Sequence, residues 1–138
     1  MYYLIFGATE KGKWPKESAD QITFFNWLER EHPDYSAVAL HVRNEGDKTI
    51  EQVMRQKAEG MRTGAADIII CGSPAFVCEL KSKNKSAKIS EAQESFLNSA
   101  HNIGAFACVA YGHAAAKEAF LLWKSTATNM IKSGLSNS

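Results

Sequence analysis

Two short apolar runs joined by a three-residue turn constrain the fold more than any other part of the sequence. Residues 67–71 read DIIIC, residues 75–81 read AFVCELK, and Gly72-Ser73-Pro74 separates them. Short runs of β-branched and aromatic residues bounded by glycine and proline are typical of the two strands of a hairpin. A turn of three residues pairs Cys71 with Ala75, which sets Asp67 directly opposite Glu79 with Cβ atoms about 5 Å apart. The sequence therefore predicts two neighbouring carboxylates on one face of a sheet.

The other side chains on that face are mostly apolar. Because side chains alternate along a strand, Ile69, Cys71 and Val77 share the face with the two acids, and Lys81 also lies on it. Two carboxylates at the rim of a dry surface repel each other and are poorly solvated, so they require a cation. A divalent ion that prefers oxygen ligands, such as Mg²⁺, meets that requirement. The alternative is a structural ion pair between Lys81 and one of the acids, but one lysine cannot neutralise both.

The remaining elements predict a central sheet covered by helices. Periodicity and boundary signals indicate a helix from Pro15 to about Glu31, a strand at 36–42 and a helix at 49–58. After the hairpin we expect a helix from Ser90, a strand at 105–111 and a last helix at 114–124, while residues 2–6 suit a short edge strand. This order, αβββαβ followed by a helix, with strands that are apolar on both faces, predicts an α/β fold.

Composition limits the classes of protein to consider. The 138 residues are 45% hydrophobic and 22% charged, which suits a single domain over residues 1–124, and the polar tail 125–138 is expected to be poorly ordered. Sixteen basic against 15 acidic residues give a net charge of +1, so any affinity for nucleic acid requires local basic patches. Three cysteines without CxxC spacing predict free thiols in a reducing cytoplasm. No apolar run is long enough for a membrane span.

Two further polar residues are candidates for the site. Glu17, near the start of the first helix, is a third acid, although it also suits the positive end of the helix dipole. Asp20, one helical turn later, is its rival. Gln93 completes a capping box with Ser90, and its helix follows the strand that carries Glu79, so it is also able to point at the acids. We expect the two roles of Gln93 to be compatible.

Two groups of basic residues are candidates for phosphate contacts. Next to Lys81, the loop after the hairpin carries Lys83, Lys85 and Lys88, which form either a solvated loop or one that grips phosphate. Lys57 and Arg62 flank Gly60 shortly before Asp67 and form the second group. The four histidines lack metal-ligand spacing, and His41, close to the loop at Asn44, is the one to test.

Together these segments resemble the VRR-NUC domain of the PD-(D/E)xK nuclease superfamily, over about residues 17–123. The resemblance rests on KAEGMRTGAAD at 57–67, ELK at 79–81 and SEAQ at 90–93. It implies a restriction-endonuclease-like core with a mixed β-sheet. It also implies these roles: Asp67, Glu79 and the Leu80 carbonyl as metal ligands, Lys81 as the catalytic lysine, Glu17 as the acid of the first helix, and Asn44 as part of an asparagine-glycine loop. Ala66 and Arg43 depart from the family, which usually has proline at both positions.

The resemblance implies a nuclease dependent on Mg²⁺ or Mn²⁺ that hydrolyses phosphodiester bonds of DNA, with branched, flap or junction DNA as the selected structure. Repair, recombination or phage replication would be its setting, in the cytoplasm of a bacterial or phage-infected cell, and a homodimer its expected state. The alternative is a nucleic-acid-binding or assembly module that keeps the fold without catalysis. A restriction-type endonuclease is less favoured because no appended recognition domain is found.

Overall fold

The computed structural model describes residues 3–43 and 49–136, with side chains described as far as Ala127. Ten elements follow one another along the described chain: β1 (Leu4–Phe6), α1 (Glu17–Glu31), α2 (Pro33–Ser36), β2 (Ala39–His41), α3 (Ile50–Ala58), β3 (Ile68–Ile70), β4 (Phe76–Lys81), α4 (Glu91–Asn102), β5 (Phe106–Tyr111) and α5 (His113–Ser136). The predicted helix after Pro15, the hairpin and the helix capped by Ser90 are all present.

The strands form one mixed sheet in the order β1-β5-β4-β3-β2. The hairpin β3–β4 and the pair β2–β3 are antiparallel, whereas β4–β5 and β1–β5 are parallel. In the hairpin Ile68 pairs with Cys78 and Ile70 pairs with Phe76, and the same register places Asp67 opposite Glu79. Both the α/β fold with a mixed sheet and the predicted register are confirmed.

Helices cover both faces of the sheet. Helices α1 and α5 pack on one face, and α4 packs on the other against β4 and β5. The first face holds the larger core, in which Phe24, Phe76, Phe120 and Trp123 are each at most 1% exposed and contact one another through their rings. The second, smaller core lies under α4 and includes Val77, Leu97 and Val109. Burying large apolar side chains on both faces fixes β4, the strand that carries Glu79 and Lys81, at the centre of the molecule.

Two predicted element bounds were wrong. The strand predicted at 36–42 begins only at Ala39, because Pro33 starts the separate helix α2, which takes up residues as far as Ser36. Proline is favoured in the first turn of a helix, where its missing N–H costs nothing. The last helix, predicted to end at residue 124, continues to Ser136, through most of the segment predicted as a polar tail, and Ala127 is buried against the core.

The buried face of α1 repeats every fourth residue. The buried residues are Asp20, Phe24 and Leu28, whereas Glu17 and Gln21 are only half-buried. Asp20, 2% exposed, accepts a hydrogen bond from the backbone N–H of His113 through Oδ1 (3.3 Å) and so satisfies a donor at the start of α5. Within the described residues, no helix is both long enough and apolar enough to cross a membrane.

Candidate metal centre

Three carboxylates converge at one end of the β3–β4 hairpin. Oxygen atoms of Glu17, Asp67 and Glu79 all lie within 4.8 Å of one another. Asp67 immediately precedes β3, Glu79 lies in β4, and Glu17 is the first residue of α1. The hairpin register explains the first two, and the packing of α1 against β4 brings in the third. The structure therefore brings together three of the predicted metal ligands, from elements far apart in the sequence.

Glu79 is the most deeply buried of the three acids, with 1% of its surface exposed. Its Oε1 accepts a hydrogen bond from Gln93 Nε2 (2.9 Å) and lies 3.7 Å from Lys81 Nζ. Its Oε2 is buried and has no hydrogen-bond partner among the described residues. Burial, followed by repulsion from Asp67, raises the pKa of Glu79 to about 9, although Lys81 acts in the opposite direction. The charge of Lys81 therefore does not offset burial and the charge of Asp67.

Asp67 is fixed by backbone groups on both sides. Its Oδ2 accepts the N–H of Leu80 (2.9 Å), and its carbonyl oxygen accepts the N–H of Val42 (2.8 Å). His41 Nδ1 lies 3.1 Å from the same carbonyl oxygen. These contacts join the ends of β2, β3 and β4 and hold Asp67 in position. His41, the histidine selected from the sequence, therefore contacts the backbone of the site rather than the convergent oxygens.

Gln93 connects a helix terminus to the site. Its side-chain oxygen accepts the N–H of Ser90 (2.9 Å), its backbone N–H donates to Ser90 Oγ (3.1 Å), and its Nε2 donates to Glu79. The capping box and the contact with the acids were proposed as compatible roles, and both are present in the structure. The capping box fixes the orientation of the Gln93 amide, and this orientation directs its Nε2 at Glu79.

Gly64 allows the loop before Asp67 to lie against α4. Its φ is +80°, and a Cβ at this position would overlap the carbonyl group of Ala92 and come within 2.7 Å of the Gln93 nitrogen. Only glycine combines this backbone conformation with so close an approach. Gly64 belongs to the KAEGMRTGAAD motif, but this contact was not predicted, since nothing local to Gly64 indicates which helix lies beside it.

Lys81 lies beside the acids with 11% of its side chain exposed. The structural alternative considered for it, an ion pair with one acid, is present, since its Nζ lies 3.7 Å from Glu79. One lysine cannot neutralise three converging carboxylates, as the sequence predicted.

The donor set fits a divalent cation. Three carboxylates supply hard oxygen ligands, and the buried Oε2 of Glu79, which accepts no hydrogen bond from residues 3–43 or 49–127, is free to accept a cation. Asp20, the rival of Glu17, points instead to the start of α5, and its Oδ2 and the nearby His113 Nδ1 are buried without hydrogen-bond partners among the described residues. An acid at i with Phe24 and Leu28 at i+4 and i+8 was the available signal that Asp20 faces the core.

The predicted phosphate-binding residues lie in different surroundings. Lys83 Nζ is 3.1 Å from Glu10 and 4.0 Å above the ring of Trp14, and Asn84 holds Trp14 through its backbone, so the lysine-rich loop is pinned to the segment before α1. This contact was not predicted from the sequence. The exposed residues of the set are Lys57, Arg62, Lys85 and Lys88. Asn44 lies outside the described residues.

A cavity of about 230 Å³ opens beside the acids. It is lined by residues from three of the segments just described, including Val42, Gly64, Asp67, Ser90 and Gln93. One side of the metal centre is therefore accessible to a ligand of moderate size, although Glu79 itself is buried.

Comparisons with known proteins support the fold. No family model matches the sequence, and neither does any curated protein. Among solved structures, the chain is similar to one described as a VRR_NUC domain protein, with 20% sequence identity, a TM-score of 0.66, and coverage of 79% of this chain and 88% of that chain. The chain therefore has the fold of a VRR-NUC domain, a restriction-endonuclease-like α/β fold.

Proposed function

We propose that this protein, which has a VRR-NUC-like fold, is a divalent-metal-dependent deoxyribonuclease that hydrolyses phosphodiester bonds. The observation that carries the proposal is the convergence of carboxylate oxygens of Glu17, Asp67 and Glu79 within 4.8 Å of one another, together with a buried oxygen of Glu79 that has no hydrogen-bond partner in the described part of the chain. Buried acids with strongly shifted pKa values beside a cavity are typical of functional sites. A structural role alone gives no reason to collect three acids around one lysine.

Mg²⁺ or Mn²⁺ is the proposed cofactor, held by Glu17, Asp67 and Glu79 together with the carbonyl oxygen of Leu80. When bound, such a cation supplies Lewis-acid stabilisation of the negative charge that develops on phosphoryl oxygens. Binding also requires the proton on Glu79 to leave, because only the ionised carboxylate is a good ligand.

The protein groups around the cation have separate roles. Lys81, close to Glu79 and mostly buried, neutralises the scissile phosphate or orients the attacking water, and its low exposure strengthens its charge at short range. Gln93 donates the 2.9 Å hydrogen bond to Oε1 of Glu79, which fixes the orientation of that carboxylate. The Leu80 N–H does the same for Asp67. These contacts prepare the site before substrate binds, so little reorganisation accompanies the reaction.

DNA is the proposed substrate, with branched, flap or junction DNA preferred, in repair, recombination or phage replication. The exposed side chains of Lys57, Arg62, Lys85 and Lys88 support phosphate contacts on either side of the acids, and Asn44 is proposed to join them. Lys83 contributes only when its ion pair with Glu10 opens. Three free cysteines suit a reducing compartment, and we place the protein in the cytoplasm of a bacterial or phage-infected cell.

The test is cleavage of labelled linear, flap and four-way DNA with Mg²⁺, Mn²⁺ or EDTA. Asp67→Asn and Lys81→Met should each lower the rate on the order of 10²–10³-fold, the usual effect of removing one preorganised charge from a site of this kind. Asp34→Asn and Lys11→Met change the same charges at exposed positions and should retain the wild-type rate.

The competing function is a nucleic-acid-binding or assembly module without catalysis. If the wild-type protein binds these DNAs but yields no metal-dependent product from any of them, the nuclease is refuted and the module remains. Cleavage confined to one base sequence would instead indicate a restriction-type enzyme.

A homodimer is proposed as the active state. Helix α3 exposes Ile50 and Met54, which are 81% and 65% exposed and lie one helical turn apart, and paired apolar side chains of this kind suit a contact with a second copy. Light scattering should give a molar mass near twice 15.2 kDa, and Met54→Glu should reduce it to that of one chain. A wild-type protein that is strictly monomeric would refute the dimer.

A further inference from the structure

A second and larger cavity adjoins the one beside the acids. Its volume is about 380 Å³, and most of its lining is apolar. Val42 and Ala65 line both cavities, so the two are neighbours. The part that is distinct to the second cavity has Ile69, Met61 and the ring of Phe96 as its walls.

The second cavity lies one step along the sheet from the metal centre. Ile69 is two residues after Asp67 and on the same face, which corresponds to about 6.6 Å along a strand. A single nucleotide with its phosphate at the acids would therefore reach the cavity with its base. Phe96 lies on α4, one turn after Gln93, so the same helix that orients Glu79 also supplies the aromatic wall.

The lining combines two features that a nucleotide matches. Phe96 and the aliphatic side chains offer a flat apolar surface, and the exposed residues Arg43 and Arg62 carry positive charge at the same cavity. A base stacks on aromatic rings, and guanidinium groups contact phosphates or stack on bases. An apolar partner without charge would gain nothing from the two arginines.

We propose that this cavity binds one unstacked base of the DNA strand that is cut, stacked against Phe96. The inference rests on the proposed function, because it takes the metal centre as the place of the scissile phosphate. A base held here fixes the position of its own phosphate next to Asp67. Stacking on an apolar wall accepts any base, so the contact positions the strand without reading its sequence.

The test uses single-stranded probes in EDTA, so that no cleavage occurs. One probe is a ten-residue strand of abasic nucleotides that carries a single thymine, and the other is fully abasic. Because the probe can bind in several registers, its single base can still enter the cavity. Wild-type protein should bind the thymine probe about 5- to 150-fold more tightly than the abasic probe, the range for one base stacked on an aromatic ring.

Phe96→Leu keeps an apolar side chain but removes the ring, and it should reduce that preference about 2- to 12-fold, the part of an aromatic contact that exceeds area burial. Met61→Ala, in the loop after α3, should reduce it independently and guards against a Phe96 variant that fails to fold. Ile103→Ala is the control, since Ile103 is 89% exposed and lines neither of the two cavities.

Equal binding of the two probes by wild-type protein would overturn the proposal, as would a preference that both variants retain. A fall in molar mass in Phe96→Leu with an unchanged base preference would identify the cavity as a protein interface instead. The cleavage assay fails or succeeds separately, because a protein that prefers the thymine probe but never cuts DNA has the base site without the nuclease activity.

Discussion

Replacing Glu79 with glutamine should make the metal-free protein more stable at alkaline pH. Glu79 is 1% exposed, and burial together with the charge of Asp67 raises its pKa from 4.5 to about 9. Between these two values the folded protein holds a proton on Glu79 that the unfolded chain has released. Stability linked to a raised pKa is fully present below the unfolded value and is lost as pH rises toward the folded value.

The size of the effect follows from one proton. In that interval the free energy of unfolding should fall by about 1.4 kcal/mol for each pH unit. From about pH 5.5 to pH 8.5 the loss is therefore about 4 kcal/mol. Glutamine resembles the protonated acid and still accepts from Gln93 through its oxygen, so Glu79→Gln should remove most of this slope.

Urea unfolding in EDTA at several pH values measures the slope for each protein. Glu118→Gln, which changes an exposed acid of α5, should follow the wild type throughout. Added Mg²⁺ should stabilise the wild type at pH 8.5 and have little effect on Glu79→Gln, because the cation takes the place of the proton. The reasoning is refuted if Glu79→Gln keeps the wild-type slope, or is less stable than the wild type at pH 8.5 without metal.

Two further substitutions test the support of the site. Gly64→Ala should lower the free energy of unfolding by about 2–4 kcal/mol, through the left-handed backbone and the overlap with Ala92. Gly60→Ala, also at positive φ but with nothing within 4 Å, should lose only the backbone part in the same urea measurement. Asp20→Ala should cost about 1–2 kcal/mol, as expected for a lost helix cap, with Mg²⁺ affinity by calorimetry nearly unchanged. Glu17→Gln should instead weaken Mg²⁺ binding by at least about tenfold; a reversed pattern would make Asp20 the ligand.

The hairpin could be predicted from the sequence because its geometry is local. A three-residue turn fixes which residues pair, and strand alternation fixes which face each side chain takes. The facing positions of Asp67 and Glu79 were predicted from those two rules alone. Gln93 followed for a similar reason, since a capping box is defined by residues only three apart.

The parts that could not be predicted depend on residues distant in the sequence. Asn84 is hydrogen-bonded to Trp14, which lies 70 positions away in the sequence. Gly64 lies against Ala92, although no periodic pattern in the sequence relates the two residues. Only the tertiary packing decides which segments become neighbours. The predicted end of α5 was wrong for a related reason. The polar residues after Trp123 indicate a tail, whereas the contact of Ala127 with the core extends the helix.

Glu17 and Asp20 show why an acid cannot be assigned a role from helical spacing alone. Both lie in the first turn of α1 and both suit its dipole. Asp20 is the more buried, yet it faces the first N–H of α5, a donor that stabilises its negative charge. Glu17 is less buried but faces two other carboxylates, which destabilise its charge. The facing groups therefore differ: Asp20 accepts a backbone hydrogen bond that the fold supplies, whereas Glu17 faces Asp67 and Glu79, a group of carboxylates that suits a divalent cation.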